Sequence, residues 1–167
     1  MYNYILDDTK AEYSVYINLI SSPAGHYLSR RPYVISLIRE LLGNTNLKGS
    51  RIVIEKNMGR AIGNSDVVLT NDNDNIYYAL PLKSDVYLRF AKNRRPQTSN
   101  ILTVILDRDS DGNFEVIDTW IGSMHPVLPG DESATEESNI YWKNHAFTQD
   151  AQLIQSKSVT KICPYPV

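Results

Sequence analysis

Six short runs of strand-forming residues between Arg51 and Ile121 constrain the fold of this chain more than any other feature. They read RIVIEK, DVVLT, NIYYAL, DVYLRFAK, ILTVIL and FEVIDTWI, and clusters of Gly, Asn, Asp and Pro separate them. Val, Ile, Tyr and Phe favour strands, whereas the separating residues favour turns. The pattern predicts an antiparallel sheet of about five or six strands. An earlier run, YSVYINLI at residues 13–20, predicts a strand before them.

A first helix is predicted from SRRPYVISLIRELLGN, residues 29–44. Its apolar residues recur at helical spacing, and Pro32 falls in the first turn, where proline is tolerated. Ser29 is the expected N-cap and Gly43 the expected stop. This is the longest helical pattern in the chain.

A second helix is predicted from SATEESNIYWKNHAF, residues 133–147, in which Ser133 and Glu136 form the expected capping box. No repeat or linker divides the sequence. We therefore expect a single α+β domain over residues 1–167, with an N-terminal helix and a C-terminal helix packed on the sheet.

The stretch DRDSDGNFEVID, from Asp107 to Asp118, nearly matches the spacing of a twelve-residue calcium loop. A calcium loop of that kind needs a helix on each side, whereas both flanks here predict strands. The pair Asp111-Gly112 between them is typical of a hairpin turn. We predict a β-hairpin and reject a specific calcium site, and no metal or cofactor is expected.

Cysteine content and hydropathy exclude several classes. The single cysteine, Cys163, excludes an internal disulfide, and no Cys/His spacing resembles a zinc site. The N-terminus lacks the basic start and apolar run of a signal peptide, and no segment approaches the ~18 apolar residues of a membrane span. We expect a soluble, cytoplasmic protein with no membrane partner, with secretion by a dedicated machinery left open.

Positive charge is concentrated between residues 83 and 95, in a chain whose net charge is −2. Against Asp85 alone, this segment carries Lys83, Arg89, Lys92, Arg94 and Arg95. A segregated basic segment indicates a face suited to phosphates. Strand alternation places Tyr87 beside Arg89, and the following connection adds the hydroxyls of Thr98 and Ser99. The alternative is a solvated basic turn without a specific ligand.

Among the three histidines, His145 has the most suggestive neighbours. Its spacing from Ser138, Tyr141 and Trp142 predicts one face of the second helix. Metal-free RNA cleavage needs a base, an acid and cations on the non-bridging oxygens. The alternative is that Tyr141 and Trp142 are core residues and His145 is a hydrogen-bonded boundary residue.

The stretches GRAIGNSDVVLT, NIYYAL, VYLRFAKNRRPQTSNILTVILDRDSDGNFEVIDTWIG and NIYWKNHAF resemble the small bacterial toxin-like RNases of the barnase, EndoU, colicin and RelE group. The resemblance spans about Arg51 to Phe147. It implies a helix before a four- or five-stranded antiparallel sheet and RNA cleavage without metal. It also implies that Arg60 and Lys92 bind phosphate, that Thr103 lies on a catalytic strand, and that His145 is a general base or acid.

The leading prediction is a metal-independent endoribonuclease, a toxin-like or phage-defence effector that acts on tRNA or another RNA and is neutralised by a cognate immunity or antitoxin protein. The predicted catalytic residues are His145, Arg60, Lys92 and Thr103. The predicted substrate contacts are Arg89, Arg94, Arg95, Tyr87, Thr98, Ser99 and Trp142. The alternative is a non-enzymatic binding module, immunity-like, antitoxin-like or regulatory, that uses basic and tyrosine-rich surfaces.

Overall fold

The computed structural model of the chain describes residues 3–7, 12–43, 45–82, 84–148 and 156–166. In chain order its elements are β1 (Asn3–Asp7), β2 (Val15–Asn18), α1 (Pro23–Arg30), α2 (Val34–Gly43), β3 (Arg51–Asn57), β4 (Gly63–Ser65), β5 (Val67–Leu69), β6 (Ile76–Pro81), β7 (Leu88–Ala91), β8 (Gln97–Ser99), β9 (Ile101–Arg108), β10 (Phe114–Ile121), α3 (Glu136–Asn144), β11 (His145–Thr148) and β12 (Ser156–Thr160). The predicted α+β class is confirmed.

The chain divides into two compact units. Unit 1 takes its described residues from Met1–Gly63 and Ser99–Ser123, and unit 2 takes its own from Asn64–Thr98 and Met124–Val167. Each unit contains a five-stranded mixed sheet, so the predicted strands are shared between two sheets. The single-domain prediction stays a prediction, because compactness does not measure whether the units fold separately.

The sheet of unit 1 has the strand order β1-β2-β10-β9-β3. Only β2 and β10 pair in parallel, and the other neighbours are antiparallel. The helices α1 and α2 supply Leu28, Ile38 and Leu41 to a core that also contains Leu102 and Val104 of β9. All five side chains are almost fully buried. The alternating apolar residues of the strands therefore face the helices, as a half-buried sheet requires.

The predicted β-hairpin at the acidic stretch is confirmed, because β9 and β10 pair antiparallel up to Arg108 and Phe114. The Asp109 carboxylate stabilises the turn. Its Oδ1 accepts hydrogen bonds from the backbone N–H groups of Asp111 and Asn113, each at 2.9 Å. Its Oδ2 accepts one from the Tyr16 hydroxyl at 2.8 Å. Here an acidic residue holds the hairpin turn, as short polar side chains often do.

The predicted first helix corresponds to α2, and a separate helix, α1, precedes it. Ser22 caps α1, since its Oγ accepts a hydrogen bond from the Gly25 backbone at 2.9 Å. The prediction of Ser29 as an N-cap is wrong: it lies inside α1, and its hydroxyl donates to the His26 carbonyl at 2.7 Å. Pro32 lies between α1 and α2, where the missing backbone donor does no harm.

The sheet of unit 2 has the strand order β12-β6-β7-β11-β5, with β7 and β11 parallel. Thr135, not Ser133, is the N-cap of α3, and Ser138 Oγ accepts a hydrogen bond from the Thr135 backbone at 3.4 Å. The helix ends at Asn144, so His145 opens β11 and the prediction that it lies on the helix is wrong. No helix in the described ranges is long and apolar enough to cross a membrane.

Candidate functional site

Unit 2 contains a cavity of about 280 Å³ beside Arg89, called the Arg89 cavity below. Tyr78 and Arg89 stand opposite each other in the β6–β7 pair, so both project from one face of the sheet. From α3 come Asn139, Trp142 and Lys143, which share a helix face at spacings of three and four residues. Among the described residues, the lining of the cavity therefore has two cationic side chains and no Asp or Glu.

The segment after β12 closes another side of the Arg89 cavity with Cys163 and Tyr165. The Tyr165 hydroxyl donates to the Tyr87 carbonyl at 3.0 Å, and its ring meets that of Tyr78 edge-on with centroids 5.2 Å apart. Burial raises the pKa of both Tyr78 and Tyr165. Both phenols are therefore neutral donors at physiological pH.

Arg89 is oriented by neutral oxygens only. Its Nη1 donates to Thr70 Oγ1 at 3.0 Å and to the His145 carbonyl at 2.8 Å. The side chain is half-buried. In the part of the chain that the structure describes, no carboxylate lies within ion-pair distance of its guanidinium. A partly desolvated cation without a counterion is unfavourable, unless a ligand supplies the negative charge.

Other arginines show the usual arrangement. Arg51 makes a bidentate pair with Asp107, with distances of 2.6 and 2.7 Å. Arg94 lies 3.1 Å from the buried carboxylate of Asp74. Arg89 differs from both, and Lys143 and Tyr78, which line the same cavity, add donors without adding negative charge.

A second cavity of unit 2, of about 400 Å³, is called the Lys92 cavity below. Its described lining contains Lys92, Lys161, Tyr77, Asn75 and Thr160, and no acidic residue. The Tyr77 ring stacks on Phe90 with centroids 5.3 Å apart. Its lining thus combines two ammonium groups, an aromatic ring and an amide.

His145 has a defined hydrogen-bonding state. Its Nδ1 lies 2.9 Å from the Tyr141 carbonyl, which can only accept, so Nδ1 carries the hydrogen. In the neutral ring Nε2 then holds a lone pair and can take a proton. The imidazole stacks on Tyr141 with centroids 3.8 Å apart and planes 4° apart. His125 lies nearby, and its burial lowers its pKa to about 4, so it stays neutral.

Two of the four predicted catalytic residues, His145 and Lys92, lie in unit 2, at different positions along the β7–β11 strand pair. Parallel pairing of Phe147 with Phe90 places His145 level with Leu88, whereas Lys92 follows the last residue of β7. Four residues of strand span ~13 Å. His145 and Lys92 are therefore at opposite ends of this strand pair, and Lys92 lines the Lys92 cavity instead.

The other two predicted catalytic residues lie in unit 1. The Arg60 guanidinium makes two hydrogen bonds to Glu40, at 2.9 and 2.7 Å. Thr103 is fully buried, and its hydroxyl donates to the Gly122 carbonyl at 2.9 Å. In both cases a structural partner already occupies the polar group, and the catalytic roles of these residues stay predictions.

Of the predicted substrate contacts, Arg89 and Trp142 line the Arg89 cavity. The others lie elsewhere: Arg94 pairs with Asp74, Arg95 and Thr98 are exposed, Ser99 Oγ accepts from the Ile101 backbone at 3.1 Å, and the Tyr87 hydroxyl lies 3.4 Å from Ser158 Oγ. Lys83 of the basic segment is outside the described residues.

Sequence reasoning missed Tyr78, Asn139, Lys143 and Tyr165 as members of the site. The spacing of Asn139, Trp142 and Lys143 was available as a signal, since residues three and four apart share a helix face. Nothing local marks Tyr165, because only the tertiary structure brings it to Tyr78.

Comparisons of the chain with protein-family models, with curated proteins and with solved structures return no match. The resemblance to toxin-like ribonucleases therefore stays a prediction. No group of three or more His, Cys, Asp and Glu side chains among the described residues is placed to hold a metal ion.

Proposed function

We propose that unit 2 is a binding module for RNA and that the Arg89 cavity holds one of its phosphate groups. The observation that carries this proposal is the half-buried Arg89 guanidinium, which has hydrogen-bond acceptors but no carboxylate partner among the described residues. It develops the alternative prediction from the sequence, a binding module with a basic and tyrosine-rich surface.

Phosphate suits this cavity in both charge and geometry. The planar guanidinium presents paired donors to phosphate oxygens, and Lys143 adds a second positive charge. The rings of Tyr78 and Tyr165 add apolar surface on which a nucleobase or ribose can pack. A carboxylate ligand would also neutralise the positive charge. It would, however, offer fewer acceptor oxygens to the same donors than a phosphate group does.

The test is a titration of the protein with uridine 5′-monophosphate, followed by calorimetry. Arg89→Gln removes the charge but keeps a polar side chain, and we expect binding to weaken by about tenfold to a hundredfold, as for a lost charge-assisted hydrogen bond. The matched control is Arg51→Gln, which makes the same change in net charge at an exposed ion pair of unit 1. Its affinity should equal that of the wild type.

A second variant guards against disturbed packing around Arg89. Lys143 is exposed, so Lys143→Ala should fold normally and still weaken binding severalfold. Cys163, the only cysteine, lines the cavity and supplies an independent readout. Its alkylation by iodoacetamide should slow when the nucleotide is bound. Equal affinity of the wild type and both variants, with no protection of Cys163, would refute the proposal.

RNA cleavage is the second candidate, and the state of His145 favours it. With Nδ1 bonded to the Tyr141 carbonyl, the lone pair of the neutral ring is on Nε2, the atom with which a general base would take a proton. In EDTA, wild-type protein should cleave total RNA and His145→Ala should not, while His26→Ala, an exposed change in α1, should leave the rate intact. Arg60→Ala and Lys92→Ala test the remaining predicted roles.

An inert wild type would remove the enzyme proposal and leave the binding proposal in place. A role as a toxin-like or phage-defence effector, with a cognate immunity or antitoxin protein as partner, follows only from observed cleavage.

A further inference from the structure

We infer that the ligand of unit 2 is single-stranded RNA of several nucleotides, which occupies the Arg89 cavity and a second subsite in the Lys92 cavity. The inference rests on the proposed function of the Arg89 cavity. It adds a second binding site and restricts the RNA ligand to single strands.

The two cavities have the same kinds of side chain. The Arg89 cavity combines two cations with aromatic rings and the amide of Asn139. The Lys92 cavity combines Lys92 and Lys161 with the ring of Tyr77 and the amide of Asn75. Cations neutralise phosphates, rings stack on bases, and an amide can bond to a base edge. Each cavity thus offers the contacts that one nucleotide needs.

In the described ranges neither Lys92 nor Lys161 forms an ion pair with a carboxylate. The lysine that does form one there is Lys157, with Asp85. Lys92 and Lys161 are both exposed. Exposed ammonium groups act as point charges without a fixed geometry. They therefore suit a flexible phosphodiester, whereas the planar guanidinium suits a phosphate held in one orientation. The Lys92 cavity is therefore suited to the RNA backbone, and the Arg89 cavity to tighter phosphate binding.

One stretch of chain borders both cavities. Thr160 and Lys161 line the Lys92 cavity, and Cys163 lines the Arg89 cavity. The three Cα–Cα steps from Thr160 to Cys163 span at most ~11 Å. Tyr77 of the Lys92 cavity and Tyr78 of the Arg89 cavity are consecutive in β6, so their side chains project from opposite faces of the sheet. A ligand that occupies both cavities has to pass round an edge of this sheet, and β12, next to β6, is the edge strand there. A flexible single strand of several nucleotides can follow that path.

Single-stranded RNA fits this arrangement better than duplex RNA. In a duplex the bases are paired and stacked on one another, and their faces are closed to tyrosine rings. In a single strand the bases can be splayed apart and stacked on separate aromatic side chains.

The test compares binding of single-stranded hexauridylate and of uridine 5′-monophosphate at several salt concentrations. We expect Lys92→Ala with Lys161→Ala to weaken hexauridylate binding by tenfold or more, and uridine 5′-monophosphate binding much less. For single strands the slope of log affinity against log salt should fall in magnitude by about 0.7 for each lost cation, so by about 1.4 here.

The matched control is the double variant Lys48→Ala with Arg51→Ala, which makes the same change in net charge at exposed residues of unit 1. It should keep the wild-type affinity and slope. An unchanged slope in the Lys92 and Lys161 variant, with Arg89→Gln still weakening nucleotide binding, overturns the two-site inference alone. If Arg89→Gln weakens neither ligand, the proposed function itself fails.

Discussion

The two units differ in what fills their interiors. Unit 1 buries a large aliphatic cluster from α1, α2 and its sheet, whereas the buried apolar residues described in unit 2 are mainly aromatic or alanine: Val68, Tyr78, Ala79, Phe90, Ala91, Trp142 and Ala146. Unit 2 also has cavities lined by cations, and Arg89 has no carboxylate partner among its described residues. Features that do not favour stability, such as a half-buried cation without a counterion, are expected where a protein binds a ligand.

The largest effect should come from the two tryptophans, one in each unit. Trp142 of unit 2 is fully buried, and its Nε1 donates to the carbonyls of Pro126 and Val127 at 3.1 and 3.2 Å. Trp142→Ala should lower the free energy of unfolding by about 4 kcal/mol. Trp120 of unit 1 is only half-buried, and Trp120→Ala should lower it by ~2 kcal/mol. Urea unfolding measures both; equal losses would show that unit 2 does not depend on its aromatic core.

Acid should destabilise the protein through unit 2. Burial lowers the pKa of His125 from 6.5 to about 4. The unfolded chain therefore binds the proton more readily between these values, and stability is full above pH 6.5 and falls as the pH drops towards 4. The loss approaches about 3 kcal/mol, from 1.4 kcal/mol per pKa unit. His125→Gln should lack this dependence, which urea unfolding at pH 7 and pH 4.5 would reveal. His26→Gln is the exposed control.

Unit 1 should respond to pH in the opposite direction. Burial raises the pKa of Asp118 in β10 from 3.8 to about 6. The folded state then holds its proton more tightly, so the contribution to stability is full below pH 3.8 and is lost as the pH rises through 6. Asp118→Asn should therefore stabilise the protein at pH 7, by up to about 3 kcal/mol, and much less at pH 4. A gain that is larger at pH 4 would contradict this account.

The smallest effects should come from ion pairs, and these too should differ between the units. Arg94→Gln in unit 2 leaves the Asp74 carboxylate, whose side chain is 3% exposed, without its cation. It should cost about 2 kcal/mol. Arg60→Gln in unit 1 breaks an exposed pair with Glu40 and should leave the urea midpoint unchanged. A larger loss for Arg60 than for Arg94 would reverse the order expected from burial.

Local patterns accounted for much of the fold. All six predicted runs between Arg51 and Ile121 form strands, because side-chain alternation and turn residues act within a few positions. The hairpin at Asp111-Gly112 followed for the same reason. The extra helix α1 was missed although Ser22 and Pro23 mark its start. The N-cap of α3 was misplaced by two residues, because Ser133 and Thr135 both suit that position.

The candidate site was less accessible from the sequence. Arg89 and Trp142 were named, and both line the Arg89 cavity. His145 was named, but its place at the start of β11 depends on where α3 ends. Arg60 and Thr103 carry polar groups of the right kind, yet partners distant in sequence occupy them: Glu40 is 20 residues from Arg60, and Gly122 is 19 from Thr103.

The sequence by itself determined the α+β class, the strands and the hairpin, because these depend on propensity and periodicity within short windows. Only the tertiary structure decided how the strands divide between two sheets and which cations find carboxylates. Arg89 bonds to a carbonyl 56 residues away, and Tyr165 to one 78 residues away. Contacts at such separations are set by packing of the whole unit, so no local pattern reveals that Arg89 lacks a carboxylate partner among the described residues.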